Sequence, residues 1–187
     1  MAAVRNGFIG CSVAAVLGLV SQIYPNALET SPEGLKLLAG YEDCTLTAYK
    51  DHVGVPTIGV GSTGCVTMGD TITLEEAAER FVQDVKEAEQ CVITYFNGAE
   101  MPQPVFDSVT SLVYNVGCYG TRWNRKQDRP TYINMYANSG DWYKVCYRLG
   151  DFTKAGGVVS KGLVNRRTEE QRHCLTYRTY PASIQSE

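Results

Sequence analysis

Apolar residues recur at helical spacing through the middle of the chain. From Leu74 to Tyr95 they return at every third or fourth position, which predicts a long amphipathic helix. Thr73 and Glu76 have the spacing of a capping box at its start, and residues 97–98, an Asn-Gly pair, mark its end. This is the longest helical pattern in the sequence.

Shorter patterns flank the long helix on both sides. Residues 45–68 are rich in β-branched and aromatic side chains and are interrupted by glycines, which predicts a small antiparallel sheet with tight turns. Ser31 and Pro32 are typical of a helix N-terminus, and Gly40 is expected to end that helix. Another helix with one apolar face is predicted over residues 105–116, preceded by Pro104 and closed by Gly117.

The N-terminal stretch differs from the rest because it is uncharged. After Arg5 no charged side chain occurs until Glu29. About 20 mainly apolar residues can span a bilayer, although glycines and polar residues dilute this segment, and the positive charge ahead of it favours an N-inside orientation. Residues 1–28 are therefore predicted to form a hydrophobic signal-anchor segment. It is a cleaved secretory signal, a permanent anchor, or a marginal anchor that leaves the bilayer uncleaved.

Composition and charge narrow the class of protein. The chain has 187 residues, of which 44% are hydrophobic and 20% charged, as in a globular protein of one domain or two small lobes. The net charge of −3 and the lack of any pattern typical of a base-reading module argue against nucleic acid as a partner. One basic run, residues 122–129, is expected to contact glycan or lipid headgroups or to be a solvated loop.

Candidate chemistry lies at the start of the β-rich stretch. Eight residues separate Glu42 from Asp51, and five separate Asp51 from Thr57. Hydrolysis of a glycosidic bond needs one protonated carboxyl to protonate the leaving oxygen and one ionised carboxylate on the opposite face of the sugar. A hydroxyl beside the second carboxylate can hold a water in line. We therefore predict that Glu42, Asp51 and Thr57 are catalytic.

The sequence of residues 41–64, YEDCTLTAYKDHVGVPTIGVGSTG, resembles the catalytic stretch of the phage-type lysozymes, the endolysins of glycoside hydrolase family 24. The glycine frame is kept, but Val60 stands where the family usually has Tyr, and Ser62 where it usually has His. Asp43 replaces the Gly that often follows the catalytic Glu. The sequences NVGCYG, from residue 115, and GLVNRRTEEQRHC, from residue 162, also match the family.

The resemblance implies an α+β, lysozyme-like fold, in which a small antiparallel sheet lobe and a helical lobe are joined by the long helix. The lysozyme domain is expected over residues 29–187. Within it, the catalytic lobe covers about 32–72, the connecting helix about 73–97 and the helical lobe about 98–187.

The resemblance also implies the reaction. An endolysin of this family hydrolyses the β-1,4 bond between N-acetylmuramic acid and N-acetylglucosamine in peptidoglycan, with Glu42 as general acid, Asp51 and Thr57 positioning the water, and an inverting outcome. No metal and no organic cofactor is implied. A lytic transglycosylase, which uses one carboxylate, and a non-catalytic membrane-anchored wall-binding module are the alternatives. The presence of Asp51 and Thr57 disfavours both.

Further residues take expected roles from the same resemblance. Ser62 and Arg166 are candidates for substrate binding, and Arg166, Arg167 and Glu170 are expected to form an ion-pair node between helices. Residues 1–28 are expected to be of the signal-arrest-release kind. The enzyme would then face the periplasm from the host inner membrane, leave the membrane for the periplasm, and act on peptidoglycan as a monomer.

Seven cysteines are spread singly, without CxxC or His pairing, so we expect disulfides after export and no zinc site. Cys146 and Cys174, in two C-terminal helical segments, are the favoured structural pair; the other connectivities stay open. Some release-type phage lysozymes are held inactive by a disulfide beside the catalytic Glu. By that resemblance, Cys44 is expected to form a disulfide with another cysteine while Cys11 is buried in the lipid. After release, Cys11 is expected to displace that cysteine and bond to Cys44. Alternatively, Cys11 is only a small apolar anchor residue.

Overall fold

The computed structural model describes residues 11–51 and 54–179. Internal contacts divide the chain into two compact units. The first, here called the sheet unit, takes the residues up to Pro25 together with Glu42–Val82. The second, the helical unit, takes Asn26–Tyr41 and the chain from Gln83 onward.

The described residues form α-helices and three two-stranded antiparallel sheets, with single 3-10 turns between some of them. In chain order the elements are α1 (Val13–Ile23), α2 (Pro32–Ala39), β1 (Thr45–Lys50), β2 (Pro56–Gly59), α3 (Leu74–Tyr95), α4 (Gln103–Val116), α5 (Cys118–Arg122), β3 (Trp123–Asn124), β4 (Arg129–Pro130), α6 (Tyr132–Asn138), α7 (Trp142–Arg148), β5 (Lys154–Ala155), β6 (Val158–Val159) and α8 (Lys161–Cys174).

The predicted boundaries of α2 and α3 are confirmed. Ser31 caps α2, since its Oγ accepts from the Gly34 N–H at 3.1 Å, and α2 ends at Ala39. The capping box of α3 is formed on both sides: the Thr73 N–H donates to a Glu76 carboxylate oxygen at 2.7 Å, and the Glu76 N–H donates to the Thr73 Oγ1 at 3.1 Å.

The sheet unit is built around the β1–β2 hairpin, which confirms the predicted antiparallel sheet. Tyr49 of β1 lies opposite Thr57 of β2 in the register. Ile58 and Val60 are buried, as is Phe81 near the end of the part of α3 that belongs to this unit. The strands are short because positive-φ glycines at and after the end of β2 turn the chain back on itself.

Helix α1 differs from the predicted signal-anchor segment. It has 11 residues, which extend about 16 Å, whereas a hydrocarbon core is about 30 Å thick. Ser12 caps its start, with its Oγ accepting from the Ala15 N–H at 3.2 Å, and Pro25 follows shortly after its end, which disfavours continuation. Within the described ranges, no helix is both long and apolar enough to cross a membrane. The first ten residues of the predicted segment lie outside the described residues.

The helical unit packs around α4, whose residues from Pro104 to Val113 are all buried. Its apolar core includes Phe96, Leu112, Ile133 and Leu149. The two-residue strand pairs β3–β4 and β5–β6 belong to this unit and were not predicted, because two residues are too few to show a period of two. These hairpins leave the helices as the main framework of the unit.

Candidate active site

Glu42 lies between the end of α2 and the start of β1, and it is half-buried. Two residues later, Cys44 forms a disulfide with Cys11, and their Cα atoms are 5.3 Å apart. The residue just before the Ser12 cap of α1 is thereby tied covalently to the segment that carries the candidate acid.

Asp51 immediately follows β1 and is held in a tight turn. Its backbone N–H donates to the Val55 carbonyl at 3.0 Å, and one oxygen of its carboxylate accepts from the Val55 N–H at 2.8 Å. The Gly54 N–H donates to the Asp51 carbonyl at 3.0 Å, and Gly54 has φ of 88°, which favours glycine. Backbone hydrogen bonds of the turn therefore help to orient the carboxylate.

Thr57 is the second residue of β2 and is 3% exposed. Its hydroxyl donates to the Val55 carbonyl at 3.0 Å, so Val55 bonds to both predicted residues of the turn. Because the hydroxyl proton is used in this bond, the lone pairs of the Thr57 oxygen are what it can offer to a water molecule. This is the arrangement that a water-positioning hydroxyl needs.

Tyr49, which was not predicted as a site residue, belongs to the same cluster. Burial raises its pKa above the ordinary value, and the negative charges of Asp43, Glu42 and Asp51 add to the rise. Three carboxylates therefore lie within electrostatic reach of one phenol. The signal available in the sequence was its position two residues before Asp51, which places both on one face of a strand.

Ser62 closes the turn after β2. Its backbone exchanges two hydrogen bonds with Ile58, at 2.9 and 3.0 Å, and the residue is 4% exposed. Gly59 and Gly61, with φ of 64° and 77°, make this turn possible. The structure thus gives Ser62 a place in the turn framework of the sheet unit.

Arg166 and Arg167 lie on α8 in the helical unit and are almost fully buried. The Arg166 Nε is 3.1 Å from one oxygen of Glu170, and the Arg167 Nη1 is 2.9 Å from the other. The Arg166 guanidinium also lies over the Tyr41 ring, 5.3 Å from its centre. Asn115 on α4 accepts from Arg167 at 2.6 Å, so this cluster joins α8 to α4.

All seven cysteines lie in described residues. Besides the bond to Cys11, disulfides join Cys91 to Cys118 and Cys146 to Cys174, and Cys65 is an exposed free thiol. The first of these two pairs was not predicted. In the part of the chain that the structure describes, no group of three His, Cys, Asp or Glu side chains could hold a metal ion.

The chain is similar to known phage proteins. The profile of the family described as Phage lysozyme matches residues 39–170. The SAR-endolysin of Haemophilus phage HP1 (strain HP1c1) is 37% identical over 182 residues, which cover 91% of this chain and 96% of that protein. The active form of P1 phage endolysin Lyz matches with a TM-score of 0.82 at 31% identity, over 94% of this chain and 99% of that one. Its secreted inactive form gives 0.59 at 28% identity, over 82% and 99%. The chain therefore belongs to the phage lysozyme family and is a muramidase-type glycoside hydrolase.

Proposed function

We propose that this chain is an endolysin that hydrolyses the β-1,4 bond between N-acetylmuramic acid and N-acetylglucosamine in peptidoglycan, acting as a monomer. The β1–β2 hairpin carries the proposal, because it brings the Asp51 carboxylate and the Thr57 hydroxyl to one turn. Besides burial, the carboxylates that raise the pKa of Tyr49 include Glu42 and Asp51, so the candidate acid belongs to the same cluster.

In the proposed reaction, Glu42 protonates the glycosidic oxygen as the leaving sugar departs. Thr57 holds a water molecule, and ionised Asp51 takes a proton from that water as its oxygen attacks the anomeric carbon. Direct attack by water inverts the configuration at that carbon. An inverting pair of carboxyl groups lies roughly 6.5–9.5 Å apart, which leaves room for the water.

Substitutions in the cluster test this assignment. Glu42→Gln removes the transferable proton and is expected to abolish the release of reducing ends from purified peptidoglycan. Asp51→Asn and Thr57→Ala are expected to slow that release by about 10²-fold or more. The matched control is Asp43→Asn, which likewise replaces a carboxylate by an amide, at the residue next to Glu42. This variant should keep most of the activity.

Product analysis separates the proposal from its alternatives. Anhydro-muramyl ends in place of reducing ends would identify a lytic transglycosylase. Retained lysis by Glu42→Gln would refute the assigned acid. If the parent chain bound the cell wall without lysing it, and Glu42→Gln bound it equally well, the protein would be a wall-binding module.

We further infer that the N-terminal segment first holds the enzyme at the host inner membrane, facing the periplasm, and then leaves the bilayer intact. The relative from phage HP1 is named a SAR-endolysin, and this chain matches the active form of P1 endolysin more closely than the secreted inactive form. In the described state, α1 buries Val16 and Val20 in a helix too short to span a bilayer. Mass measurement of the periplasmic protein tests this: loss of about the first 27 residues would show a cleaved signal instead.

Disulfide exchange at Cys44 is the proposed activation step. Before release, Cys44 is bonded to another cysteine, and Cys65 is the candidate because it is the free thiol of the sheet unit. The Cys11 thiolate attacks the Cys44 sulfur, the Cys11–Cys44 bond forms, and Cys65 leaves as the thiolate. One disulfide replaces another, so no external oxidant or reductant is consumed.

Lysis timing tests the exchange. Cys11→Ser is expected to leave the enzyme exported but inactive, because the Cys44 bond is not displaced. Cys65→Ser removes the proposed lock and is expected to give activity before release. Disulfide mapping of membrane-bound and released protein provides the direct readout. Unchanged timing and activity in Cys11→Ser would show that Cys11 is only an anchor residue.

A further inference from the structure

A cavity of about 570 Å³ lies in the helical unit, and its lining contains none of the residues of the proposed reaction. Its lining comes from α5, the β3–β4 hairpin, the start of α6 and the end of the 3-10 turn Leu149–Asp151. Its lining combines aromatic rings with basic side chains: Tyr119, Trp123, Arg125, Lys126, Arg129 and Phe152 are among them. The volume lies in the range of small-molecule sites, about 300–1,000 Å³.

The hairpin that carries the basic side chains is held in one conformation. The Asn124 side-chain oxygen accepts from the N–H groups of Lys126 and Gln127, at 3.1 and 3.2 Å. At the base of the hairpin, the Thr131 N–H donates to the Arg122 carbonyl at 3.0 Å. The basic run of residues 122–129 therefore contains a preorganised turn, which lowers the entropic cost of binding.

The cations of the cavity are stacked on its rings. Arg125 lies over the Tyr119 ring at 4.9 Å, and Arg129 over the Tyr132 ring at 4.3 Å. The Arg129 Nε donates to the Gln127 side-chain oxygen at 2.9 Å, which orients the planar guanidinium. Since cations cover these ring faces, the rings are poorly placed to stack against a neutral sugar.

The acidic residue of the lining does not cancel this charge. Asp151 is already paired with Arg148 at 3.3 Å. Arg125, Lys126 and Arg129 therefore give the cavity a net positive charge, and Arg forks match the geometry of phosphate oxygens. Exposed rings beside it, Tyr119 at 43% and Tyr132 at 41%, are the kind of side chain that concentrates at a membrane–water interface.

We propose that this cavity binds the phosphate-bearing headgroup of an anionic phospholipid and holds the helical unit against the membrane surface. The charge complementarity and the interfacial rings select this ligand. The site concerns the helical unit alone, so it stands whether or not Glu42 is the catalytic acid or Cys11 exchanges with Cys44.

The fluorescence of Trp123 gives a local readout of binding at the cavity. The chain has 2 tryptophans, so Trp142→Phe leaves Trp123 as the single one. The full-length Trp142→Phe protein is titrated with phosphatidylcholine vesicles that carry either spin-labelled phosphatidylglycerol or, as the control, spin-labelled phosphatidylcholine, and quenching of Trp123 is measured. We expect quenching only with the anionic lipid. Replacing Arg125, Lys126 and Arg129 by Gln should weaken it roughly tenfold or more.

The matched control replaces three exposed basic residues elsewhere in the same unit, Lys154, Lys161 and Arg178, by Gln. It should weaken quenching less than about twofold.

Equal effects of the two triple variants would overturn the proposal in favour of nonspecific charge attraction. The absence of any quenching would overturn it outright. Quenching of the parent by inorganic phosphate without vesicles would show a free-anion site. Loss of sacculus binding, but not of vesicle binding, in the cavity variant would assign the cavity to peptidoglycan carboxylates. Lysis of isolated sacculi by the cavity variant confirms that it folds.

Discussion

The carboxylate of Asp107 shows how one buried residue determines the start of a helix. It is 1% exposed and accepts from the Ser31 N–H at 3.0 Å, from the Ser31 hydroxyl at 2.6 Å and from the Gln103 amide at 2.8 Å. The His173 Nε2 lies 3.2 Å from Oδ2, the carboxylate oxygen that also accepts from the Ser31 hydroxyl. Because a buried carboxylate needs such partners, the side chain is held in one position against Gly34.

Gly34→Ala is therefore expected to destabilise the protein. A Cβ at this position would lie 2.5 Å from the Asp107 Cγ, and such overpacking costs about 1–3 kcal/mol, which outweighs the roughly 1 kcal/mol that Ala gains over Gly in a helix. Urea unfolding measures the change. The control is Gly162→Ala on α8, where the nearest atom is 3.7 Å away; it should keep or raise stability. A stable Gly34→Ala protein would contradict the close contact.

The raised pKa of Tyr49 predicts that the folded protein loses stability at alkaline pH. Burial and the charges of Asp43, Glu42 and Asp51 raise its pKa above 10.0. The unfolded chain therefore loses this proton before the folded protein does. The Tyr49 contribution to the free energy of unfolding is constant well below pH 10 and falls as the pH rises through 10 toward the folded pKa.

Urea unfolding at several pH values between about 9 and 11 measures this effect. Tyr49→Phe should lose less stability across that window than the parent chain. Tyr143→Phe, which removes a tyrosine that is 52% exposed, is the control and should follow the parent. If both variants followed the parent, the pKa of Tyr49 would not be raised in the folded protein.

At the scale of elements, α8 is held by a buried charge cluster. One carboxylate, Glu170, lies between the guanidiniums of Arg166 and Arg167, and the Ser111 hydroxyl donates to it at 2.7 Å. Burial lowers the pKa of Arg167 to about 10, while the charge of Glu170 opposes that fall. The packing of α8 against α4 therefore depends on a balance of charges inside the unit.

Glu170→Gln tests that balance. It preserves the shape of the side chain but removes the negative charge that balances two buried guanidiniums. We therefore expect a loss of about 3–5 kcal/mol in the free energy of unfolding. Glu169→Gln breaks an exposed pair with Arg172 on the same helix and should cost less than about 1 kcal/mol. Similar losses in the two variants would show that the buried cluster contributes little.

Element boundaries were predictable where local chemistry sets them. The Ser31 cap of α2 and the capping box of α3 act within four residues, so the sequence shows them directly. The β3–β4 and β5–β6 pairs were not predictable, because two-residue strands carry no periodic signal. Helix α1 was predicted as part of a longer apolar segment, since composition does not show where a helix within that segment starts and stops.

At the scale of the whole molecule, disulfides stabilise the fold by lowering the conformational entropy of the unfolded chain. Cys146 and Cys174 are 28 residues apart, and their bond joins α7 to α8. Replacing both by Ala should lower the free energy of unfolding by about 3 kcal/mol. Cys65→Ala, at an exposed free thiol, should have little effect. Thermal and urea unfolding under non-reducing conditions provide the comparison, and unchanged stability of the double variant would show that this bond does not constrain the unfolded chain.

The sequence by itself determined the candidate chemistry, the helix caps and the family. Each depends on residues close together in the chain: Glu42, Asp51 and Thr57 span a single short segment, and a turn of backbone hydrogen bonds orients two of them. Only the tertiary structure decided that Cys91 meets Cys118 and that a basic run borders a cavity. Those features depend on distances between segments far apart in sequence, and no local pattern encodes such distances.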